Sequence, residues 1–295
     1  MRTIEVLIGV VGVFIIGAYI LFNPEPIELT QLKSQTKVPN DVHLETVALS
    51  STHALLVDAQ NGQVIMNQKG DEKIYPASLT KIMTTIVAIE SLEDLNELIY
   101  IDGEIFPTLE AQSASLAGFK AEEWIPAIDL LYGIMLPSGG ESTLAVARAV
   151  AGSEEKFIQL MNQKASELGL VNTHFVNPIG LHDPNHYTTA TDMVTLLRYA
   201  LTNETFKTLF ETPVYTTLTG LTLESTMFKN LPRTEVTHGE IIGGRTGFTL
   251  EAGRCLISLA KINDREYILV TAGAINSYEN TIQHLLDALY IYDQL

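Results

Sequence analysis

The apolar positions divide the chain into stretches of different kinds. From 4 to 22 they are nearly continuous, broken only by Glu5. A helix over that stretch is about 30 Å long, the thickness of a bilayer core. Residues 23–45 lose the pattern and carry prolines, as a tether does. Short apolar runs at 53–58 and 63–67 flank Ala59-Gln60-Asn61-Gly62, and Asn-Gly between such runs predicts a hairpin. From 76 to 92 apolar residues recur at helical spacing. Residues 121–210 read as mainly helical, with helices over 127–135 and 142–150 broken at Pro137-Ser138-Gly139-Gly140. Thr189-Ala190-Thr191-Asp192 predicts a further helix start of the capping-box type. After Gly243-Gly244 the pattern turns to strands at 245–249, 255–262 and 267–272, with a turn at Asn263-Asp264. A last helix is predicted over 279–292. The order of strands, helices, strands and helix implies an α/β (α+β) fold. Its antiparallel sheet takes its edges from both chain ends and is flanked by helices, with a mainly helical subdomain. The predicted division is an anchor at 1–22, a tether at 23–45 and one folded domain at 46–295.

Composition narrows this picture. Hydrophobic residues make up 46% of the 295 and charged residues 18%, enough for a sizeable core. The net charge of −17 argues against a nucleic-acid partner, which needs clustered Lys and Arg. Cys255 is the only cysteine, so no internal disulfide forms, and its apolar surroundings predict a core residue. Arg2 ahead of the apolar stretch favours a cytoplasmic N-terminus. The expected location is therefore the cell membrane, single-pass, with the folded domain extracytoplasmic. A cleaved signal peptide is the rival, but it has a shorter apolar stretch ending at small residues. Here the stretch runs into Leu21-Phe22-Asn23-Pro24-Glu25-Pro26.

Three motifs carry candidate chemistry. In Ser78-Leu79-Thr80-Lys81 a hydroxyl and an amine lie three apart at a helix start, on one face and within hydrogen-bonding reach. A serine needs a base to become a nucleophile, and a lysine desolvated by an apolar helix can be that base. Ser34-Gln35-Thr36-Lys37 and Ser153-Glu154-Glu155-Lys156 share the spacing, but the first sits in the tether and the second at a solvated helix start. Ser138-Gly139-Gly140 lies on a loop between apolar helices; alone it reads as a helix-breaking turn. Arg245-Thr246-Gly247 sets a cation, a hydroxyl and a glycine on one strand; alone it reads as an edge strand. His182 and His186 are four apart, but Pro184 between them removes a shared helix face, and no His-Glu-x-x-His pattern occurs. No metal or cofactor is expected.

In this order the three motifs resemble the Ser-x-x-Lys, Ser-x-Asn and Lys-Thr-Gly elements of penicillin-recognising serine enzymes. The likeness is to the low-molecular-weight penicillin-binding proteins that are D-alanyl-D-alanine carboxypeptidases, peptidase family S11. It rests on Tyr75-Pro76-Ala77-Ser78-Leu79-Thr80-Lys81-Ile82-Met83-Thr84, on Asp129-Leu130-Leu131-Tyr132-Gly133 to Leu136-Pro137-Ser138-Gly139, and on Asn177-Pro178-Ile179-Gly180-Leu181 with His186-Tyr187-Thr188-Thr189-Ala190. It covers roughly residues 50–275.

The resemblance implies a β-lactamase/DD-peptidase-like fold and removal of the terminal D-alanine from peptidoglycan stem peptides, in cell-wall synthesis and cell shape. Ser78 would form the acyl-enzyme, Lys81 would take its proton and Ser138 would relay it. Arg245, Thr246 and Gly247 would line the site of the substrate carboxylate. The N–H groups of Ser78 and Phe248 would form the oxyanion hole. The implied partners are a stem peptide ending in D-Ala-D-Ala, β-lactams as covalent inhibitors, and the membrane through the N-terminal helix. Two positions depart from the pattern: Gly140 replaces asparagine and Arg245 replaces lysine. Either the missing side chain weakens a contact, so that Gly140→Asn raises activity, or a neighbour such as Glu141 compensates and it does not; the alternative is a catalytically impaired peptidoglycan- or penicillin-binding protein on this fold. A class A-like β-lactamase is a further rival. It needs a glutamate after the second motif, whereas Glu93-Asp94-Leu95-Asn96 lies before it.

Overall fold

In the computed structural model, which describes residues 48–275 and 281–295, the first apolar runs become the expected hairpin. β1 (His53–Asp58) and β2 (Val64–Gln68) pair antiparallel. Asp58 accepts the N–H groups of Gln60 and Asn61 and so shapes the turn. The helix expected from 76 begins as a 3-10 turn over Ala77–Thr80 and continues as α1 (Lys81–Ser91). β3 (Leu98–Tyr100), α2 (Ile105–Ala111) and β4 (Trp124–Pro126) follow. Three-residue strands are too short to show a period, and the apolar pattern did not predict them.

The helical subdomain comprises α3 (Ala127–Met135), α4 (Gly140–Ala151), α5 (Glu154–Glu167), α6 (Ala190–Ala200) and α7 (Glu204–Glu211). Ser153 and Thr189 cap α5 and α6 by accepting the N–H of Lys156 and Asp192. A small hairpin, β5 (Val214–Thr216) with β6 (Thr222–Glu224), leads into α8 (Thr226–Asn230). The chain then forms β7 (Glu235–Val236), β8 (Gly239–Thr249), β9 (Gly253–Ile262), β10 (Arg265–Ala274) and α9 (Gln283–Tyr292). β8 starts six residues before the predicted 245, because the strand passes through Gly243-Gly244 with a register shift. Asn263 and Asp264, at φ 50° and 61°, make the expected turn. α9 begins at Gln283 instead of 279; residues 276–280 lie outside the described residues.

The main sheet among the described residues has the order β2-β1-β10-β9-β8-β7, with every pairing antiparallel. Alternation along the strands gives it two buried faces. Ala54, Leu56, Leu256 and Leu269 point to one side and pack with Leu285, Ala288 and Ile291 of α9. Leu55, Val57, Ile257, Ile268 and Val270 point to the other, into the larger core shared with the helical subdomain. Cys255 is buried there, as expected. The anchor and tether expected at 1–45 lie outside the described residues. Among the described residues no helix is long and apolar enough to cross a membrane.

Candidate active site

The 3-10 turn places Ser78 above the start of α1. Ala77, just before it, is buried and held at φ 48°, a left-handed conformation that costs a non-glycine residue on the order of 1–3 kcal/mol. Two contacts fix that turn. Thr80 Oγ1 donates to the Ala77 carbonyl at 2.7 Å. Gly180, at φ 91°, lies against the same carbonyl so closely that a Cβ would fall 2.0 Å from its oxygen. Only glycine satisfies both demands.

Ser138 follows α3 in a second left-handed position, φ 70°. Its hydroxyl donates to Ser78 Oγ at 3.1 Å. Arg245, on β8, reaches the pair from the sheet. Its Nη2 donates to Ser138 Oγ at 3.0 Å, its Nε to the Ser78 carbonyl at 2.8 Å, and its Nη1 to the Met135 carbonyl. The arginine is 1% exposed, and burial pulls its pKa down to about 9. A file of hydrogen bonds thus runs from Arg245 through Ser138 to Ser78 and joins all three motifs.

Lys81 is also 1% exposed. Burial, and then the Arg245 charge, push its pKa well below the ordinary lysine range, while Glu141 acts the other way. The direct Ser78–Lys81 hydrogen bond expected from their spacing is not formed among the described residues. The lysine Nζ donates instead to the Ile179 carbonyl at 2.6 Å. Asn177 holds that carbonyl in place: its Oδ1 accepts the N–H groups of Ile179, Gly180 and Leu181.

At position 140 the missing side chain has been replaced by a loop. A Cβ there would lie 2.8 Å from Leu109 Cδ2 and 3.3 Å from the Ser115 carbonyl oxygen. That carbonyl accepts the Gly140 N–H at 2.7 Å. Glu141 does not stand in for the asparagine. It is fully buried and its Oε1 accepts the N–H groups of Ala117 and Gly118, fastening the same loop.

The expected carboxylate clamp needs correction at one residue. Arg245 points inward, and each of its three nitrogens already donates to a protein oxygen. Thr246 is half-buried with its hydroxyl 3.0 Å from Thr226 Oγ1, a neighbour that no motif pointed to. At Gly247 a Cβ would lie 2.9 Å from the Ser78 nitrogen, so this glycine lets β8 reach the nucleophile's backbone. Phe248 follows, exposed, with Arg254 over its ring.

The two histidines serve different neighbours. His182 packs edge-on to Tyr75, with Nδ1 3.8 Å from Glu251, whereas His186 contacts Thr80 and Val176. Among the described residues no group of His, Cys, Asp and Glu could hold a metal ion. Burial pushes the Cys255 thiol up to about 12, far from a reactive thiolate. The carbonyls of Met135 and Ile179 were invisible to motif reasoning, because a backbone acceptor carries no residue signature. Asn177-Pro178 was the one signal near them.

The family model described as D-alanyl-D-alanine carboxypeptidase, peptidase S11, matches residues 38–276. The chain is 33% identical over 241 residues to the D-alanyl-D-alanine carboxypeptidase DacF of Bacillus subtilis, covering 80% of this chain and 61% of that one. It is 36% identical over 161 residues to DacC of Escherichia coli, covering 52% of this chain and 40% of that one. The chain therefore spans about half the length of these curated relatives. Among solved structures, a serine-to-alanine mutant of a Streptomyces DD-transpeptidase superimposes with a TM-score of 0.76 at 25% identity, over 84% of this chain and 98% of that one.

Proposed function

The chain belongs to the peptidase S11 family of D-alanyl-D-alanine carboxypeptidases, and from that premise we propose that it removes the terminal D-alanine of peptidoglycan stem peptides through a Ser78 acyl-enzyme. The observation that carries this reading is the hydrogen-bonded file Arg245–Ser138–Ser78 beside a buried Lys81. A neutral Lys81 amine turns from the Ile179 carbonyl to Ser78 and takes the hydroxyl proton. Ser78 Oγ forms a bond to the penultimate D-alanine carbonyl carbon. The carbon–nitrogen bond breaks, and the proton leaves with the D-alanine amine by way of Ser138. Water then hydrolyses the ester.

Arg245 stays protonated, so it orients Ser138 and stabilises developing negative charge without relaying protons. The N–H groups of Ser78 and Phe248 supply the oxyanion site, each donor worth about 2.7–4 kcal/mol. Thr246 and Gly247 face the substrate carboxylate. β-Lactams acylate the same hydroxyl. The apolar stretch at 4–22 anchors the chain in the cell membrane with this domain outside.

Gly140 favours a second reading, a binding protein with impaired turnover, because the loop at 114–118 fills the place of a side chain that the family pattern supplies. Mass spectrometry after exposure to benzylpenicillin, combined with an assay of D-alanine release from a pentapeptide, tests both. The enzyme gives an adduct on Ser78 and releases D-alanine, and Ser78→Ala does neither. An adduct without release supports the binding protein. No adduct on the wild type sinks the enzyme and favours a peptidoglycan-binding protein.

A further inference from the structure

We propose that His186 is a positioning residue for Ser78, holding through Thr80 the backbone turn that presents the nucleophile. The inference rests on the acyl-enzyme reading above and goes beyond it. His186 is buried, with Nε2 2.7 Å from Thr80 Oγ1 and Nδ1 3.1 Å from the Val176 nitrogen. The donors and acceptors leave one solution. Val176 N–H can only donate, so Nδ1 is an acceptor. The Thr80 proton goes to the Ala77 carbonyl, so Thr80 accepts and Nε2 carries the hydrogen. His186 is therefore a neutral imidazole in its Nε2–H form.

That tautomer links two parts of the site. On one side, Nε2–H to Thr80 to the Ala77 carbonyl is a continuous chain ending on the left-handed residue before Ser78. On the other, Nδ1 fixes Val176 at the entry to the Asn177–Leu181 loop. That loop supplies Gly180 to the Ala77 carbonyl and Ile179 to Lys81. One ring thus braces both the strained turn and the segment that seats the base. Protonation would put an Nδ1–H against the Val176 N–H and break the brace. Burial holds the imidazole at about 4; His174, His182 and Lys81 also lower it, and only Asp183 opposes them.

A histidine that merely filled the core would behave differently in five variants and one spectrum. His186→Ala is expected to slow acylation by labelled penicillin about 10- to 100-fold, with the pre-acylation binding constant nearly unchanged. His186→Gln, which offers one donor and one acceptor, restores most of the rate. Thr80→Val reproduces the loss and Thr80→Ser does not. Because the residues act in series, the double variant His186→Ala/Thr80→Val is no slower than the slower single, to within about twofold.

Wild-type rates in His186→Ala, equal losses in His186→Ala and His186→Gln, or multiplying losses in the double variant overturn the proposal. Side-chain nitrogen NMR of the wild type gives an independent arm. The expected spectrum shows a neutral Nε2–H ring from pH 8 down to pH 5. A ring that gains charge near the ordinary histidine value, or that carries its hydrogen on Nδ1, sinks the brace. If the wild type never acylates, the acyl-enzyme reading has failed, and the NMR result still decides the brace.

Discussion

The two faces of the main sheet are built on opposite principles. The face under α9 is mainly apolar: Leu56, Leu256 and Leu269 meet Leu285, Ala288 and Ile291, the buried Tyr292 hydroxyl is hydrogen-bonded to Ser258 and Tyr267, and the buried Asp287 accepts from Ser51. The opposite face holds the larger apolar core, but it also buries Lys81, Arg245 and Glu141 almost completely. Burying charge costs free energy unless each group is paired. Here most of the pairing is to backbone carbonyls and amides instead of opposite charges. The first face stabilises the fold. The second carries unfavourable groups and left-handed residues for the sake of chemistry.

Removing the amine should separate the faces most sharply. Lys81→Ala is expected to lower the rate of acylation by about 10²- to 10⁴-fold. Thermal stability should change little by comparison, since relief of the desolvated amine is offset by the cavity and by the Ile179 carbonyl left without its donor. A stopped-flow rate close to wild type would show that Lys81 is not the base.

Arg245→Lys keeps the charge but cannot reach the carbonyls of Ser78 and Met135 together with Ser138. One charge-assisted hydrogen bond is worth about 1.5–3 kcal/mol, so acylation should slow by about tenfold or more. Equal rates would show that the guanidinium fork is not needed.

Gly140→Asn was expected from the sequence to restore activity, and the structure reverses that expectation. The new side chain would run into Leu109 and the 114–115 backbone, an overpacking cost of about 1–3 kcal/mol. Both acylation and melting temperature should drop. A gain in either would mean that the loop opens freely.

Acidity offers a graded test. The folded pKa of Lys81 lies below its unfolded value near 10.5. The unfolded chain therefore binds more protons between the two, and this lysine's contribution to stability rises with pH across that window. The melting temperature of Lys81→Met, compared with wild type from pH 7 to pH 10, should lack that rise. Acylation should likewise fall in the wild type as pH drops through the folded value.

The smallest kinetic effect belongs to the other face. Leu285→Ala should cost about 2–5 kcal/mol of stability and leave the acylation rate unchanged at a temperature where the protein stays folded. A change in rate would mean that the two faces are coupled.

Much of the fold was legible because its signals are local. Asn61-Gly62 marked the first hairpin, α3 appeared at its predicted bounds, and Asn263-Asp264 marked the last β-turn. The short strands β3 to β6 were not legible, since three residues show no period. In the site, Ser78, Ser138 and Arg245 do meet, as motif order implied. The partner of Lys81, the inward turn of the arginine and the loop filling the space at Gly140 were not readable. Each depends on which backbone happens to pass nearby.

What the sequence determined by itself was the set of reactive groups and the periodic elements that carry them, because both reside in residue type and spacing. The tertiary structure decided the protonation states and the hydrogen-bond partners. Those follow from burial and from carbonyls more than a hundred residues away for Arg245, and about as far for Lys81. No local pattern encodes a distance between segments that only folding brings together.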